Sequence, residues 1–317
     1  MNKKNISDRL EGALKYFLIL PGIFISAYMS PLFSQGCSDA GFCTVSALKN
    51  SGNNPFTQKE KTNMIKLGVA TGKADYGIQV YSGYLEYDHH FSHNLSISAK
   101  TTFMFQSGPE ARSGGLGDIY ITTSFNHSPG FTFTGGFKIP LSDGNHMQDG
   151  IPLPMDYQSS LGTLDLILGA GYRIKGFQAS IGYQQPLTQN KNTFVSFVSD
   201  TGEPLYNRQP TKGFIRKADI LCRLTYEFKA GEKVKIIPGI LPIYHVGEDE
   251  FTDTDGIVKP IEGSQGLTLN GTLYLQYEIS RKGIIEVNFG MPFITRETRP
   301  DGLTRKYMVG VEYSILF

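Results

Sequence analysis

Apolar and polar residues alternate with a period of two through most of the chain beyond residue 62. In the last segment Tyr307, Val309, Val311, Tyr313, Ile315 and Phe317 share one parity. Lys306, Met308, Gly310, Glu312 and Ser314 hold the other, with Leu316 the one large apolar exception. Phe131, Phe133, Gly135, Phe137 and Ile139 oppose Thr132, Thr134, Gly136 and Lys138 in the same way. So do Ile285, Val287, Phe289, Met291 and Phe293 against Glu286, Asn288 and Gly290. This is the period of a strand whose two faces meet different solvents. About twelve strands are predicted: 63–71, 76–87, 94–105, 117–126, 131–139, 162–174, 176–184, 216–228, 233–245, 266–279, 283–294 and 305–317. Within 233–245, Pro238 and Pro242 each lack a ladder donor, so a bulge or bend is expected there.

The connections sort by length. Those at 128–130, 175–176, 229–232 and 280–283 are tight, whereas 140–161, 187–215 and 246–265 are long and polar. Short turns at one end and long loops at the other are the mark of a membrane barrel, and a soluble sandwich has no need to sort its connections. The expected fold is all-β, a transmembrane antiparallel up-and-down β-barrel of about twelve strands. Residues 63–317 form the barrel, both ends of which lie on the short-turn side.

Composition narrows the partners. The chain of 317 residues balances Lys+Arg 30 against Asp+Glu 29, a net charge of +1 that suggests no nucleic-acid partner. A mean hydropathy of −0.20 does not argue against a barrel, which averages an apolar face with a polar one. Lys3, Lys4, Arg9 and Lys15 precede a mostly apolar run, 16–33, and the small residue Ser34. Residues 1–34 are therefore expected to be an export signal, and 35–62 a periplasmic segment or a plug. Cys37 and Cys43 are the disulfide candidate of an oxidising compartment. Cys222 falls on the lipid-facing parity as a small hydrophobe.

Three motifs carry a family resemblance. Gly115-Leu116-Gly117-Asp118 opens a strand, Lys138-Ile139-Pro140 ends one, and Gly162-Thr163-Leu164-Asp165 opens the next. This order resembles the outer-membrane transporter-like family named after the meta-cleavage pathway of phenol degradation. The resemblance implies a barrel in the style of the fatty-acid transporters, passing small and often hydrophobic or aromatic molecules. Departures are Ile139, the Leu141-Ser142-Asp143 insertion and the long 187–215 stretch. The aromatic last residue of the apolar-faced terminal strand likewise resembles the signal by which outer-membrane barrels meet their assembly machinery.

Strand parity directs Lys100, Asp118, Lys138, Asp165, Arg173, Asp219, Arg223, Glu227, Glu278, Glu286 and Glu312 toward the lumen. There they either set a field that selects solutes or pair with one another and fill the barrel. Asp118 and Asp165 have a further reading, as anchors for loop amides at the outer rim. The His89, His90, His93 run is expected to be a solvated periplasmic turn rather than a metal site. Asn126-His127-Ser128 cannot converge as a hydrolytic triad from adjacent positions. The acidic run 248–256 lacks calcium-loop spacing and is read as a solvated loop. Phe194–Ser199 is either an external hairpin or a segment folded into the pore. No catalytic, metal or cofactor-binding residue is proposed, and no enzyme activity. The expected function is a channel or passive transporter for small molecules in the outer membrane of a Gram-negative bacterium. The alternative is a plugged barrel that acts as a structural or surface-binding protein through its external loops. The expected partners are the lipid bilayer, the assembly machinery through the strand ending at Phe317, and a small solute.

Overall fold

The structure, a computed structural model, describes residues 63–128, 130–196, 208–302 and 305–317. The expected export signal, the 35–62 segment and the Cys37–Cys43 pair lie outside the described residues. The period-two segments become antiparallel strands. β1 (Asn63–Lys73), β2 (Gln79–His90), β3 (Leu95–Ser107), β4 (Arg112–Ser128) and β5 (Phe131–Pro140) follow one another. A small hairpin, β6 (Met147–Gln148) with β7 (Ile151–Pro152), sits in the next loop. Then come β8 (Asp165–Ile174), β9 (Phe177–Pro186), β10 (Asp219–Tyr226), its continuation β11 (Phe228–Ala230) and β12 (Val234–His245). A second loop hairpin, β13 (Glu250–Thr252) with β14 (Val258–Pro260), precedes β15 (Gly266–Glu278), β16 (Gly283–Ile294) and β17 (Tyr307–Leu316).

Every long strand pairs with its neighbour in the chain, β10 pairs with β12, and β17 returns to β1. With β10 and β11 counted as one, the described residues form a closed antiparallel barrel of twelve strands. Asn63 and Phe317 exchange two backbone hydrogen bonds of 2.9 Å at the seam. Closure leaves no strand edge exposed.

The outward face is apolar. Tyr81, Phe105, Tyr183, Tyr244, Phe293 and Tyr307 ring the long-loop end. Tyr87, Phe125, Phe131, Phe177, Tyr226, Tyr277 and Tyr313 ring the short-turn end. Leu67, Val69, Leu85, Ile121, Leu168, Ile181, Val287 and Val311 fill the band between them, all exposed. Two aromatic girdles around an aliphatic band are what a bilayer core and its two interfaces solvate. Cys222 belongs to this face, partly shielded.

Several strand ends differ from expectation. Tyr76 lies in a turn, at φ 55°, so β2 starts three residues later. Gly162 is left-handed, at φ 69°, and stays in the loop before β8. β4 starts at Arg112, because a register shift near Gly117 lets the strand continue past the motif. The bulge expected within 233–245 is absent from the β12–β15 ladder, which runs unbroken from Val234–Tyr277 to His245–Gly266. The interruption falls on the other side. β10 meets β12 only at Asp219–Leu221 and Leu224–Thr225, and Glu227 separates β10 from β11. Pro238 and Pro242 have no N–H to give, and this ladder is where the gap appears.

Candidate functional site

Two rows of side chains cross the barrel wall on its inner face. The first follows the ladder from strand to strand: Lys66, Glu86, Lys100, Tyr120, Lys138 and Asp165 are successive register partners. Their charges pair along the row. Lys66 Nζ is 2.8 Å from both Glu86 and Asp88, and Lys138 Nζ is 2.9 Å from Asp165 Oδ2. Lys100 Nζ sits 3.5 Å from the centre of the Tyr84 ring and 3.7 Å from Glu86. The second row is Tyr84, Gly68, Glu312, Glu286, Gln276 and Lys235. Here two carboxylates, Glu286 and Glu312, stand opposite each other, a repulsive arrangement unless donors intervene. Gln276 Nε2 donates to Glu286 at 2.8 Å, and the Tyr84 hydroxyl donates to Glu312. Gly68 makes the second contact possible. A Cβ there would lie 2.2 Å from the Tyr84 ring.

The opposite wall carries aliphatic side chains. Leu221 on β10 and Ile237, Leu241 and Ile243 on β12 point inward and are buried. The interior is thus polar along β8 to β1 and mixed along β10 to β12, where these aliphatic side chains alternate with Asp219, Arg223, Thr225 and His245.

The three resemblance motifs meet in one place. Asp118 Oδ1 accepts the Ser160 hydroxyl at 2.6 Å, and the Thr163 hydroxyl accepts from Lys138 Nζ at 2.9 Å. Asp165 holds both Lys138 and Gln184 Nε2 on one oxygen, Oδ2. Loop 141–164 is thereby fastened to the inner wall of β4, β5 and β8. Beside this junction lies a cavity of about 150 Å³. Tyr84, Met104, Tyr120, Tyr274 and Met308 line it with Lys100, Lys138 and Gln184, and Ser159, Ser160 and Leu161 close it from the loop side. Of the residues that line it, Gln184 and Thr272 each have one buried oxygen, Oε1 and Oγ1, without a hydrogen-bond partner among the described residues.

The long loops cover this end of the barrel. Leu153 and Tyr157 of loop 141–164 join Ala74, Ile78, Val80 and Ala111 in a small core packed against Met104. Gln106 on β3 donates to the Gln158 carbonyl at 2.8 Å. Asn192 donates to the carbonyls of Gly144 and Leu153, at 2.8 and 3.2 Å, and its Oδ1 accepts from Thr211 at 2.7 Å. Glu110 receives the Tyr157 hydroxyl and the Arg208 guanidinium, each at 2.6 Å, while Arg208 lies 3.3 Å over the Tyr76 ring. Burial of Asp156 in this packing pushes its carboxyl up to about 6, with Arg208 opposing and Asp75 adding to the rise.

A second charge cluster ties the remaining loops to β10 and β12. His245 reaches Asp219 through Nδ1 and Asp249 through Nε2, both at 2.7 Å. Arg216 pairs with Asp219, and Arg296 with Asp301 at 2.8 Å. Burial raises the Asp301 carboxyl, but Arg296 and Arg216 outweigh it and hold the group below its usual range.

No protein-family model and no curated protein sequence matches the chain. Among solved structures it is similar to the translocator domain of the autotransporter NalP from Neisseria meningitidis, at 9% identity over 86% of this chain and 93% of that one, TM-score 0.48. It is also similar to a Pseudomonas aeruginosa FadL homologue, at 9% over 90% and 99%, TM-score 0.42. The Ralstonia pickettii toluene transporter TbuX aligns at 9% over 82% and 91%, TM-score 0.39. The resemblance to the transporter-like family therefore stands on its motifs alone.

Of the eleven sequence-selected residues eight are buried and Arg173, Glu227 and Glu278 are partly buried, and they do not form one site. Lys100, Asp118, Lys138 and Asp165 gather at the cavity and the loop junction. Glu286 and Glu312 belong to the second row. Arg173 pairs with Glu227 at 3.2 Å and Glu278 with Lys235 at 3.3 Å near the short turns. Asp219 joins the His245 cluster, and Arg223 is buried on the β10–β12 side. Other features fall elsewhere. His89 meets Asn63 at 2.6 Å near the seam, and Asn126 accepts from Thr132 at 2.7 Å. Phe194 is fully buried, without strand structure through 196, while 197–207 lie outside the described residues. The acidic run is not wholly solvated, since Asp249 is fully buried against His245. Sequence reading missed His245, Asp249, Arg296 and Asp301. Only the inward parity of His245 on β12 carried a signal for them.

Proposed function

We propose that this chain is an outer-membrane channel or passive transporter for small molecules, hydrophobic and aromatic ones included, in a Gram-negative bacterium. The observation that carries the reading is the interior cavity under loop 141–164, with tyrosine and methionine on its walls beside Lys100, Asp118 and Lys138. A lumen of this kind accepts a solute with an apolar body and a polar end. Loop 141–164 and the described parts of the next long loop, 187–196 and 208–218, pack over the outer end in this conformation, so passage requires them to move. Lys100, Asp118, Lys138 and Asp165 then stand beside the solute, and the remaining lumen charges set the field along its path. The strand ending at Phe317 is the surface offered to the assembly machinery.

A second reading has its own support. The ion-paired rows are buried and fill much of the lumen, as in a plugged barrel whose external loops do the work. Liposome swelling with a graded set of small solutes separates the two. Swelling that depends on the refolded barrel and rises when loop 141–164 is shortened supports transport. Liposomes that stay impermeable in both cases leave the plugged reading.

A further inference from the structure

Charge is spread unevenly over the short turns. Three that follow one another around the wall, β8–β9, β11–β12 and β15–β16, carry Lys175, Lys229, Lys233, Arg281 and Lys282, all exposed. Glu232 is the exposed carboxylate among them. The short turns on the other side, 91–94 and 128–130, hold no Lys, Arg, Asp or Glu. The acidic groups just inside the basic rim are already matched, Glu227 with Arg173 at 3.2 Å and Glu278 with Lys235 at 3.3 Å. Lys229 lies 4.0 Å from Glu227, whereas Lys175, Lys233, Arg281 and Lys282 have no ion-pair partner among the described residues. Lys175 holds its corner at φ 47°, a conformation that glycine or asparagine adopts at less cost. Cations gathered in this way repel one another, and an anionic layer against them relieves the repulsion.

The basic rim borders the lipid face. Ile174, Phe177, Tyr226, Phe228, Tyr277 and Ile279 are the exposed strand-end residues next to it, with the Tyr226 and Phe228 rings 4.6 Å apart. An aromatic belt marks the level of the headgroups, and Lys and Arg stems reach along it to the phosphates. We propose that this sector of the short-turn rim, from β8 to β16, binds the headgroups of anionic phospholipids in the leaflet it meets. A zwitterionic headgroup brings its own cation and leaves the lysines unmatched. A soluble anion or a cell-wall carboxylate uses the lysines but has no acyl chain for the aromatic belt. Such binding goes beyond the transport reading, since it is the same whether the lumen conducts or is plugged.

The test places the refolded barrel in nanodiscs of equal phosphatidylglycerol and phosphatidylethanolamine. Native mass spectrometry then counts the lipids still attached after gentle release. Phosphatidylglycerol is expected in about fivefold excess, the preference that one neighbouring cation supplies. Replacing Lys175, Lys233, Arg281 and Lys282 by Gln is expected to bring the two lipids to parity. Replacing Lys73, Lys191, Lys212 and Lys259 by Gln removes as many charges at the long-loop end and is expected to change nothing. Equal retention of both lipids by the unaltered barrel overturns the proposal, whatever the variants do. So does an equal loss of preference in the two variants. Co-sedimentation with purified peptidoglycan that needs the four rim cations, without a lipid preference, assigns the rim to the cell wall and likewise overturns it.

Discussion

Lys138 and Asp165 face each other across the β5–β8 ladder with their charges 2.9 Å apart and their side chains 1% and 0% exposed. The pair is the joint at which loop 141–164, the polar row and the cavity wall meet. Removing one partner of a buried ion pair leaves an uncompensated charge, whereas replacing both is often close to neutral. Lys138→Met is therefore expected to destabilise the barrel by about 3–5 kcal/mol. The double variant Lys138→Met, Asp165→Leu is expected to recover most of that loss. Urea unfolding followed by gel mobility of the folded and unfolded forms measures both. A double variant as unstable as the single one would remove the pairing from the account.

Asp156 gives loop 141–164 a pH dependence. Its folded carboxyl titrates near 6, above the unfolded value of 3.8, so the folded state holds the proton longer. Stability contributed by this group is present below about 4 and is lost as pH rises through about 6. The melting temperature of the wild type is expected to fall between these pH values relative to that of Asp156→Asn, which cannot ionise. Parallel melting curves for the two proteins across that window would refute the assignment.

Much of the barrel is legible in the sequence because each strand meets lipid on one face whatever its neighbours do. Tyr307–Phe317 and Phe131–Ile139 show this, and Lys138 and Asp165 follow from the same parity. The lid is different. Leu153, Tyr157 and Phe194 are buried by contacts with distant segments, such as Glu110 with Tyr157 and Asn192 with Leu153, which leave no period along the chain. β12 hides its role for a related reason. Both of its faces carry large apolar residues, since Ile237, Leu241 and Ile243 pack inside while Ile240 and Tyr244 meet lipid. Asp249 reads as one acid in a solvated run because its partner His245 contributes only through the fold.

Gly302 packs against the lid from the segment after β16, 295–302. It is left-handed, at φ 65°, and a Cβ there would lie 2.2 Å from the Met155 carbonyl carbon. Gly302→Ala is expected to cost about 1–3 kcal/mol in local strain, released by pushing Met155 and loop 141–164 outward. The rate of solute entry in liposome swelling is expected to rise severalfold while the barrel remains folded. A folded variant with unchanged permeability would mean that the lid does not control entry.

Phe317 is exposed on the lipid face, and its backbone closes the seam with Asn63. Deleting it is expected to lower assembly in cells strongly and spontaneous refolding in detergent only slightly, as compared by heat-modifiable mobility. Equal losses in both settings would make the residue a structural closure rather than a recognition signal.

The central claim is that a solute path runs through the lumen and is closed by loop 141–164. Single-channel recording in planar bilayers, comparing the barrel with a variant in which residues 145–158 are replaced by a short glycine-serine link, tests it most directly. The account predicts rare, brief openings for the intact barrel and steady conductance for the shortened one. A shortened barrel that is folded, inserted and electrically silent would contradict it.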